Sequence, residues 1–215
     1  MYKGVIFDFN GTLIFDTKYH NCAWDKFLEK HDIIMSEAEK IEKIHGMSNS
    51  EILKNIFKRE ISQYEIKKCS AEKERYYREF LIADNLKLAP GIEVFLNSLL
   101  KKNIKIAIAT SSDYENIEFY IKNYNLLNWF KRELIIYNDG TLRGKPAPDL
   151  YIRASEKMGI KNNEIIVFED SLFGIMAAKK FGPQKIIVVN PEEYVKNKIN
   201  GMEIIENFNQ LSILI

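Results

Sequence analysis

Short apolar runs alternate with helical patterns through the second half of this chain, and one more such run stands close to the N-terminus. The runs lie at 5–7, 104–109, 134–137, 165–168 and 186–189. Continuous apolar runs with β-branched members are typical of strands that are buried on both faces of a parallel sheet. The alternation of these strands with helices therefore predicts an α/β fold with a doubly wound parallel sheet.

A different pattern occupies residues 16 to about 85, where apolar residues recur three and four positions apart and no convincing strand is found. Trp24, Phe27 and Leu28 are one example of this spacing. The pattern predicts about four amphipathic helices, which we interpret as a small bundle. Because one strand precedes the bundle and the other strands follow it, we expect a Rossmann-like core made of 1–14 and 88–215. A helical cap domain, 15–87, is inserted in this core.

The composition is that of an ordinary soluble protein, with 46% hydrophobic and 28% charged residues among 215. The formal net charge of +1 offers no electrostatic reason to bind nucleic acid or an anionic membrane surface. No apolar run approaches the roughly 18 residues of a membrane span, and no signal-peptide pattern is present. We therefore expect a cytoplasmic protein that is a monomer or a weak dimer. Cys22 and Cys69 lack metal-ligand spacing and are interpreted as reduced thiols.

Polar clusters follow four of the predicted strands or their loops. They are Asp8-Phe9-Asn10-Gly11-Thr12, Thr110-Ser111, Lys145-Pro146 and Glu169-Asp170. In open α/β sheets, ligands bind in the crevice beyond the carboxyl ends of the strands. The four clusters are each common alone, but together they predict a single site at that edge of the sheet.

The residue types in these clusters indicate phosphoryl chemistry. Asp8, Glu169 and Asp170 would repel one another unless a cation were held among them, and hard oxygen ligands of this kind suit Mg²⁺. Asp8 could then attack phosphorus and form an aspartyl-phosphate that water hydrolyses.

The remaining polar residues would bind the transferring phosphate. Thr110 and Ser111 offer a hydroxyl and backbone N–H groups to an oxyanion. Lys145 offers a positive charge that neutralises both the phosphate and a carboxylate nucleophile. The sequence alone therefore favours an enzyme that acts on a small phosphorylated metabolite.

The order of the motifs resembles the haloacid dehalogenase-like superfamily over essentially the whole chain. The matching segments are FDFNGTL (7–13), ATSS (109–112), GKPAPD (144–149) and FEDSLFGI (168–175). Their form, with helices inserted after the first motif, is similar to the branch that holds β-phosphoglucomutase and phosphoglycolate-type phosphatases. The resemblance implies that Asp8 is the nucleophile and that Asp170 and the backbone carbonyl of Asn10 bind Mg²⁺. It also implies a phosphate site made of Thr110, Ser111 and Lys145.

Asn10 is the main departure from the family pattern. Most phosphatases and mutases of that family have aspartate there, as the general acid and then the general base, and an amide cannot exchange a proton in that way. The loss of such help typically costs about 10²–10⁴-fold in rate. Three interpretations remain open at this stage: a slow phosphatase or one that needs a good leaving group, a relative with other chemistry or none, and an artificially substituted or deamidation-prone residue.

Residues of the predicted cap bear on the substrate. His20, Gly46, Ser48 and Asn49 resemble cap positions that bind substrate in β-phosphoglucomutase-like proteins. The mutase has basic residues where Asn49 and Tyr76 stand here, which favours a hydrolase over a mutase unless Arg75 supplies a cation in their place. The leading hypothesis is a Mg²⁺-dependent phosphohydrolase, and the alternatives are a catalytically impaired protein that binds phosphorylated ligands and a phosphomutase.

Overall fold

The computed structural model describes residues 2–36, 39–40, 43–44, 48–57 and 59–211. The chain divides into two compact units, of which the first contains Met1–Phe15 with Lys87–Ile215 and the second contains Asp16–Leu86.

A six-stranded parallel sheet forms the centre of the first unit, with the strand order β3-β2-β1-β4-β5-β6. The strands are β1 Gly4–Phe7, β2 Lys105–Ala109, β3 Ile135–Ile136, β4 Ile165–Glu169, β5 Lys185–Val189 and β6 Glu203–Ile205. The sheet confirms the predicted parallel α/β fold, and each predicted strand is present with its ends shifted by a residue or so. The first strand of the sequence lies at the centre because both β2 and β4 pair with it.

Helices connect these strands, as parallel strands require crossover connections. They are α4 Ile92–Lys101, α5 Tyr114–Asn123, α6 Asp149–Met158, α7 Leu172–Phe181 and the short α8 Glu193–Lys196. All four residues of β1 are buried, because side chains pack against both faces of the sheet. On one face Phe7 stacks on Phe168 with 5.1 Å between ring centroids, and on the other Ile6 belongs to a cluster with Leu150.

Three helices are described in the second unit, namely α1 Thr17–Lys30, α2 Asn49–Phe57 and α3 Gln63–Ala83. Their buried faces carry the apolar residues whose spacing predicted helices, Trp24 and Phe27 of α1 among them. At the start of α3, Ser62 and Glu65 form a capping box, in which each side chain accepts a hydrogen bond from the other residue's backbone N–H. Among its described residues, this unit therefore consists of helices joined by turns and loops, without a strand.

The two cysteines and the hydropathy of the helices bear on the general character of the protein. Cys22 and Cys69 are free thiols. None of the described helices is both long enough and apolar enough to cross a membrane.

Candidate active site

The carboxyl ends of the central strands bring the first predicted residues together. Phe7 is in register with Ile108 on β2 and Phe168 on β4. Asp8 follows directly, and its backbone N–H donates to the carbonyl of Phe168 at 3.0 Å. Glu169, at the end of β4, is thereby held beside Asp8. Strand register, which is a local property of the sheet, thus sets the spacing of the two carboxylates.

Lys145 joins these two carboxylates. Its Nζ lies 2.5 Å from Oδ1 of Asp8 and 2.5 Å from Oε1 of Glu169. All three side chains are almost completely withdrawn from solvent. A buried ammonium between two buried carboxylates is a charge-assisted arrangement whose geometry is strongly determined. Residues 8, 145 and 169 were predicted to share a site, and the structure brings them into direct contact.

Burial and mutual attraction shift the pKa values of this cluster in different directions. Burial raises the pKa of Asp8 to about 7, against the attraction of Lys145, while the charge of Glu169 raises it further. Burial also opposes ionisation of Glu169 and Lys145. Lys145 with the hydrogen bonds from Tyr151 and Ser171 nevertheless holds the pKa of Glu169 below its usual value. Likewise, Asp8 and Glu169 together keep the pKa of Lys145 above its usual value.

Glu169 is fixed on both of its oxygens. Oε1 accepts from the Tyr151 hydroxyl at 2.7 Å as well as from Lys145. Oε2 accepts from the backbone N–H groups of Asp170 and Ser171 at 2.9 and 3.1 Å, and from the Ser171 hydroxyl at 3.1 Å. The carboxylate is fully buried and cannot move without losing several hydrogen bonds. Glu169 therefore holds Lys145 in position beside Asp8.

Gly174 of α7 packs against this carboxylate. A Cβ atom added at Gly174 would lie 1.8 Å from Oε1 of Glu169. Gly174→Ala is expected to lower the free energy of unfolding by about 1–3 kcal/mol, as overpacked sites do, although alanine normally stabilises a helix relative to glycine. Chemical denaturation would measure the change. Gly144→Ala is the matched control, because an added Cβ there meets nothing within 4 Å. Equal stability of the two variants would show that Glu169 is not held as tightly as its hydrogen bonds indicate.

Asp170 completes the acidic group. One carboxylate oxygen from each of Asp8, Glu169 and Asp170 lies within 4.8 Å of the other two. Gly11, at φ +74°, allows the turn after β1 to approach Asp170, since an added Cβ would lie 2.0 Å from Oδ2 of that residue. Thr12 also faces this carboxylate, with 3.5 Å between its Oγ1 and Oδ1 of Asp170. Three oxygen donors gathered in this way match the ligand chemistry of Mg²⁺.

The side chain of Asn10 is held at both ends of its amide. Its Oδ1 accepts from the Ser112 hydroxyl at 2.8 Å, and its Nδ2 donates to the Tyr120 hydroxyl at 2.9 Å. Tyr120 is itself fully buried and stacks on Phe9 with 4.1 Å between ring centroids. Both ends of the amide therefore have a hydroxyl partner, and each hydroxyl can either donate or accept. Asn10 is thus held in a defined orientation two residues after Asp8.

The predicted phosphate-binding residues lie in the loop that follows β2. Thr110 is buried, and its Oγ1 lies 3.2 Å from both the backbone nitrogen and the hydroxyl oxygen of Ser112. Ser111, between them, is exposed. The loop is therefore organised around Thr110 and Ser112, while Ser111 faces solvent. The role of Thr110 and Ser111 in binding phosphate stays a prediction.

In the second unit, His20 lies in a cluster of buried polar groups. Its ring stacks on Tyr77 at 3.9 Å between centroids, and Nδ1 lies 2.6 Å from Nζ of Lys73. Its Nε2 lies 3.4 Å from Oδ2 of Asp16, which also accepts from the Tyr77 hydroxyl. Because an ammonium has only donors, Nδ1 accepts from Lys73, which leaves the ring proton on Nε2, facing Asp16. His20 is thus oriented on both sides.

The other predicted residues of the second unit have capping or pairing contacts. Asn49 donates through Nδ2 to Glu74 at 2.8 Å, and Glu74 also pairs with Lys73. Both the backbone N–H and the hydroxyl of Ser48 donate to Glu51. Gly46 lies outside the described residues. These contacts lie within the second unit and do not test whether the residues bind substrate, which stays a prediction.

Some residues of these clusters were not identified from the sequence. The sequence pattern gave no reason to place three hydroxyl-bearing residues in the site: Tyr151, Ser112 and Tyr120. Their connection to it is shown only by the hydrogen bonds that their hydroxyls make to Glu169 and Asn10. Lys73 was also missed, since the comparison with mutases considered Tyr76 instead. The structure places the Lys73 ammonium beside His20, a contact that the comparison at positions 49 and 76 did not reveal.

Comparisons with known proteins agree on one family. The family model of haloacid dehalogenase-like hydrolases matches residues 2–182. The chain is 30% identical over 213 residues to "Putative phosphatase YhcW" of Bacillus subtilis (strain 168), covering 97% of this chain and 90% of that protein. It is also 30% identical over 188 residues to β-phosphoglucomutase of the same organism, covering 84% and 80%. A crystal structure of a HAD hydrolase, family IA, variant 3, from Entamoeba histolytica superposes with a TM-score of 0.91 at 38% identity, covering 99% and 96%.

Proposed function

Because the chain belongs to the haloacid dehalogenase-like hydrolases, we propose that it is a Mg²⁺-dependent phosphohydrolase that forms an aspartyl-phosphate at Asp8. Its relatives are named as phosphatases and a phosphomutase, which supports hydrolysis of phosphorylated compounds. The observation that carries the proposal is the contact of Lys145 with both Asp8 and Glu169 at the end of the central strand. We infer that the substrate is a small phosphorylated metabolite.

Asp8 is the proposed nucleophile, and Lys145 orients it. An oxygen of Asp8 attacks phosphorus, the bond from phosphorus to the leaving oxygen breaks, and the leaving oxygen keeps the electron pair. Lys145 lowers the charge repulsion between the carboxylate and the dianionic phosphate as they meet. Glu169 in turn holds Lys145, because its own oxygens are engaged by Tyr151 and Ser171. Thr110 and Ser111 are the proposed partners of the phosphate oxygens.

The acidic group fits a magnesium ion, since it consists of hard carboxylate oxygens that lie close together. We infer that Asp8, Asp170 and the backbone carbonyl of Asn10 would hold the ion, with Glu169 as a further candidate that is already engaged by several donors. A bound Mg²⁺ would supply charge neutralisation to the phosphate and to Asp8. Removal of divalent ions with a chelator should therefore stop phosphate release.

Asn10 is expected to make the enzyme slow. A carboxylate at this position would be compatible with the structure, because the hydroxyls of Ser112 and Tyr120 can both donate to it. Asn10→Asp is therefore expected to raise kcat by about 10²-fold or more through general acid–base help. Steady-state phosphate release with and without Mg²⁺ would measure it. A rate in Asn10→Asp no higher than that of the wild type would contradict this explanation of Asn10.

The proposed function is tested by a panel of phosphate esters assayed for Asp8-dependent release of inorganic phosphate. Acid-quenched protein would be analysed by mass spectrometry for one added phosphoryl group on Asp8. Release that needs Mg²⁺, together with phosphorylation of Asp8, is the expected result. No turnover by the wild type or by Asn10→Asp, despite measurable ligand binding, would favour the alternative that Asn10 also supports, a catalytically impaired protein that binds phosphorylated ligands. Interconversion of sugar phosphate isomers would favour a phosphomutase, the activity named for the similar protein of Bacillus subtilis.

A further inference from the structure

The chemistry of residue 10 limits which leaving groups the site can expel. A carboxamide at neutral pH neither gives up a proton to a departing oxygen nor takes one back. The Asn10 amide is held by its hydrogen bonds to Ser112 and Tyr120, which another rotamer would lose. The position is thus occupied by a well-ordered group that can donate a hydrogen bond but cannot transfer a proton.

The neighbouring charged groups of the first unit are committed to other contacts. Among its described residues, the charged side chains gathered at the strand ends are Asp8, Lys145, Glu169 and Asp170. Three of them are carboxylates, proposed above as the nucleophile, the anchor of Lys145 and a metal ligand. The ammonium of Lys145 lies between two of these carboxylates at 2.5 Å. Each of these groups thus already has a proposed role, and we assign none of them the role of a general acid.

This inference rests on the proposed function. We propose that the substrates are phosphate compounds whose leaving group is stable as an anion, with acyl phosphates foremost and enol and aryl phosphates next. In the first step an Asp8 oxygen bonds to phosphorus, the bond to the leaving oxygen breaks, and a carboxylate, enolate or phenolate departs with the electron pair and without a proton. An alkyl phosphate would have to release an alkoxide, which is far more basic and needs protonation in the transition state.

The second step also balances without a proton transfer at residue 10. Water bonds to the phosphorus of the aspartyl-phosphate, the bond from phosphorus to the Asp8 oxygen breaks, and Asp8 recovers its carboxylate. Both water protons remain on the released dihydrogen phosphate. This step is the same for every substrate, so it affects kcat alike for all of them. The basicity of the leaving group affects kcat/KM, because kcat/KM reports the steps up to the departure of that group.

The experiment compares three substrates of similar shape whose leaving groups become more basic in order: 4-nitrophenyl, phenyl and benzyl phosphate. Acetyl phosphate and glycerol 3-phosphate extend the comparison to acyl and alkyl groups. Each is assayed with the wild type and with Asn10→Asp, and the rate with Asp8→Ala is subtracted as the background. In both proteins kcat/KM is expected to fall from 4-nitrophenyl to benzyl phosphate. The fall in the wild type should be larger than the fall in Asn10→Asp by a factor of about 10² or more. Acetyl phosphate is expected to be favoured over glycerol 3-phosphate in the same proportion.

The outcomes separate this inference from the proposed function. Asp8-dependent turnover with the same dependence on the leaving group in both proteins would overturn the inference, because another residue would then be supplying the proton. In that case the hydrolase function would stand. Absence of Asp8-dependent turnover for every substrate would overturn the proposed function itself. Steep dependence in the wild type that becomes shallow in Asn10→Asp supports both.

Discussion

Asp8→Ala is expected to abolish phosphate release, with a loss of about 10⁴-fold or more in kcat, because no other group would accept the phosphoryl group. The variant should remain folded. Lys145 keeps Glu169 as a partner after the change, so no buried ammonium is left without a counter-charge. Burial raises the pKa of Asp8 from 3.8 to about 7. The native fold therefore favours the protonated form, and the ionised side chain costs stability as the pH rises through that range.

Two measurements check this prediction together. Phosphate release and phosphorylation of the protein should both be lost, while the denaturation midpoint at neutral pH should be equal to or above that of the wild type. Asp139→Ala is the control, because Asp139 is exposed and its side chain bonds only locally, to Thr141. Turnover in Asp8→Ala within tenfold of the wild type would rule out Asp8 as the nucleophile.

Lys145→Met is expected to produce the largest combined effect on stability and activity. It would leave Asp8 and Glu169 buried side by side without their shared cation. Removing one partner of a buried ion pair typically costs about 3–5 kcal/mol in the free energy of unfolding. Loss of a preorganised charge at a phosphoryl group is expected to lower kcat by about 10²–10³-fold as well. Denaturation with guanidinium and steady-state kinetics would measure the two effects.

The loss of stability should depend on pH with a defined sign. Lys145 keeps the pKa of Glu169 below its usual 4.5. The stabilisation from that pairing is therefore complete above pH 4.5 and disappears as the pH falls through the lower pKa of the native state. The difference between Lys145→Met and the wild type should accordingly shrink in acid. Lys3→Met, which removes an exposed pair with Glu164, should cost at most about 1 kcal/mol. An equal loss in the free energy of unfolding for Lys145→Met and Lys3→Met would contradict the buried pairing of Lys145 with Asp8 and Glu169.

The parallel sheet and the residues at its strand ends could be predicted because their signals are local. A buried parallel strand must be apolar along its whole length, so runs such as 165–168 stand out from amphipathic helices. Since parallel strands all end at the same edge, a carboxylate just after β1 and two at the end of β4 must lie near each other. Asp8, Glu169 and Asp170 therefore followed from the sequence without any knowledge of long-range packing.

The contacts that orient the site could not be predicted in this way. Tyr120 lies 110 positions after Asn10, and whether its hydroxyl reaches the amide depends on how α5 is rotated against the sheet. The same holds for Tyr151 on α6, which reaches Glu169. In the second unit, the pairing of Lys73 with His20 depends on the packing of α3 against α1. Apolar periodicity predicts that a helix face is buried, but it does not specify which polar atoms on that face meet.

The sequence by itself determined the fold class, the family resemblance and the candidate residues of the site: a carboxylate proposed as the nucleophile, a lysine proposed to bind phosphate and an amide where the family usually has an acid. The tertiary structure alone decided that Lys145 is shared by Asp8 and Glu169 and that Asn10 is held by two hydroxyls. The physical reason is that hydrogen bonds between distant residues require positions accurate to a few tenths of an ångström. That accuracy comes from the packing of whole helices and strands, and no short stretch of sequence encodes it.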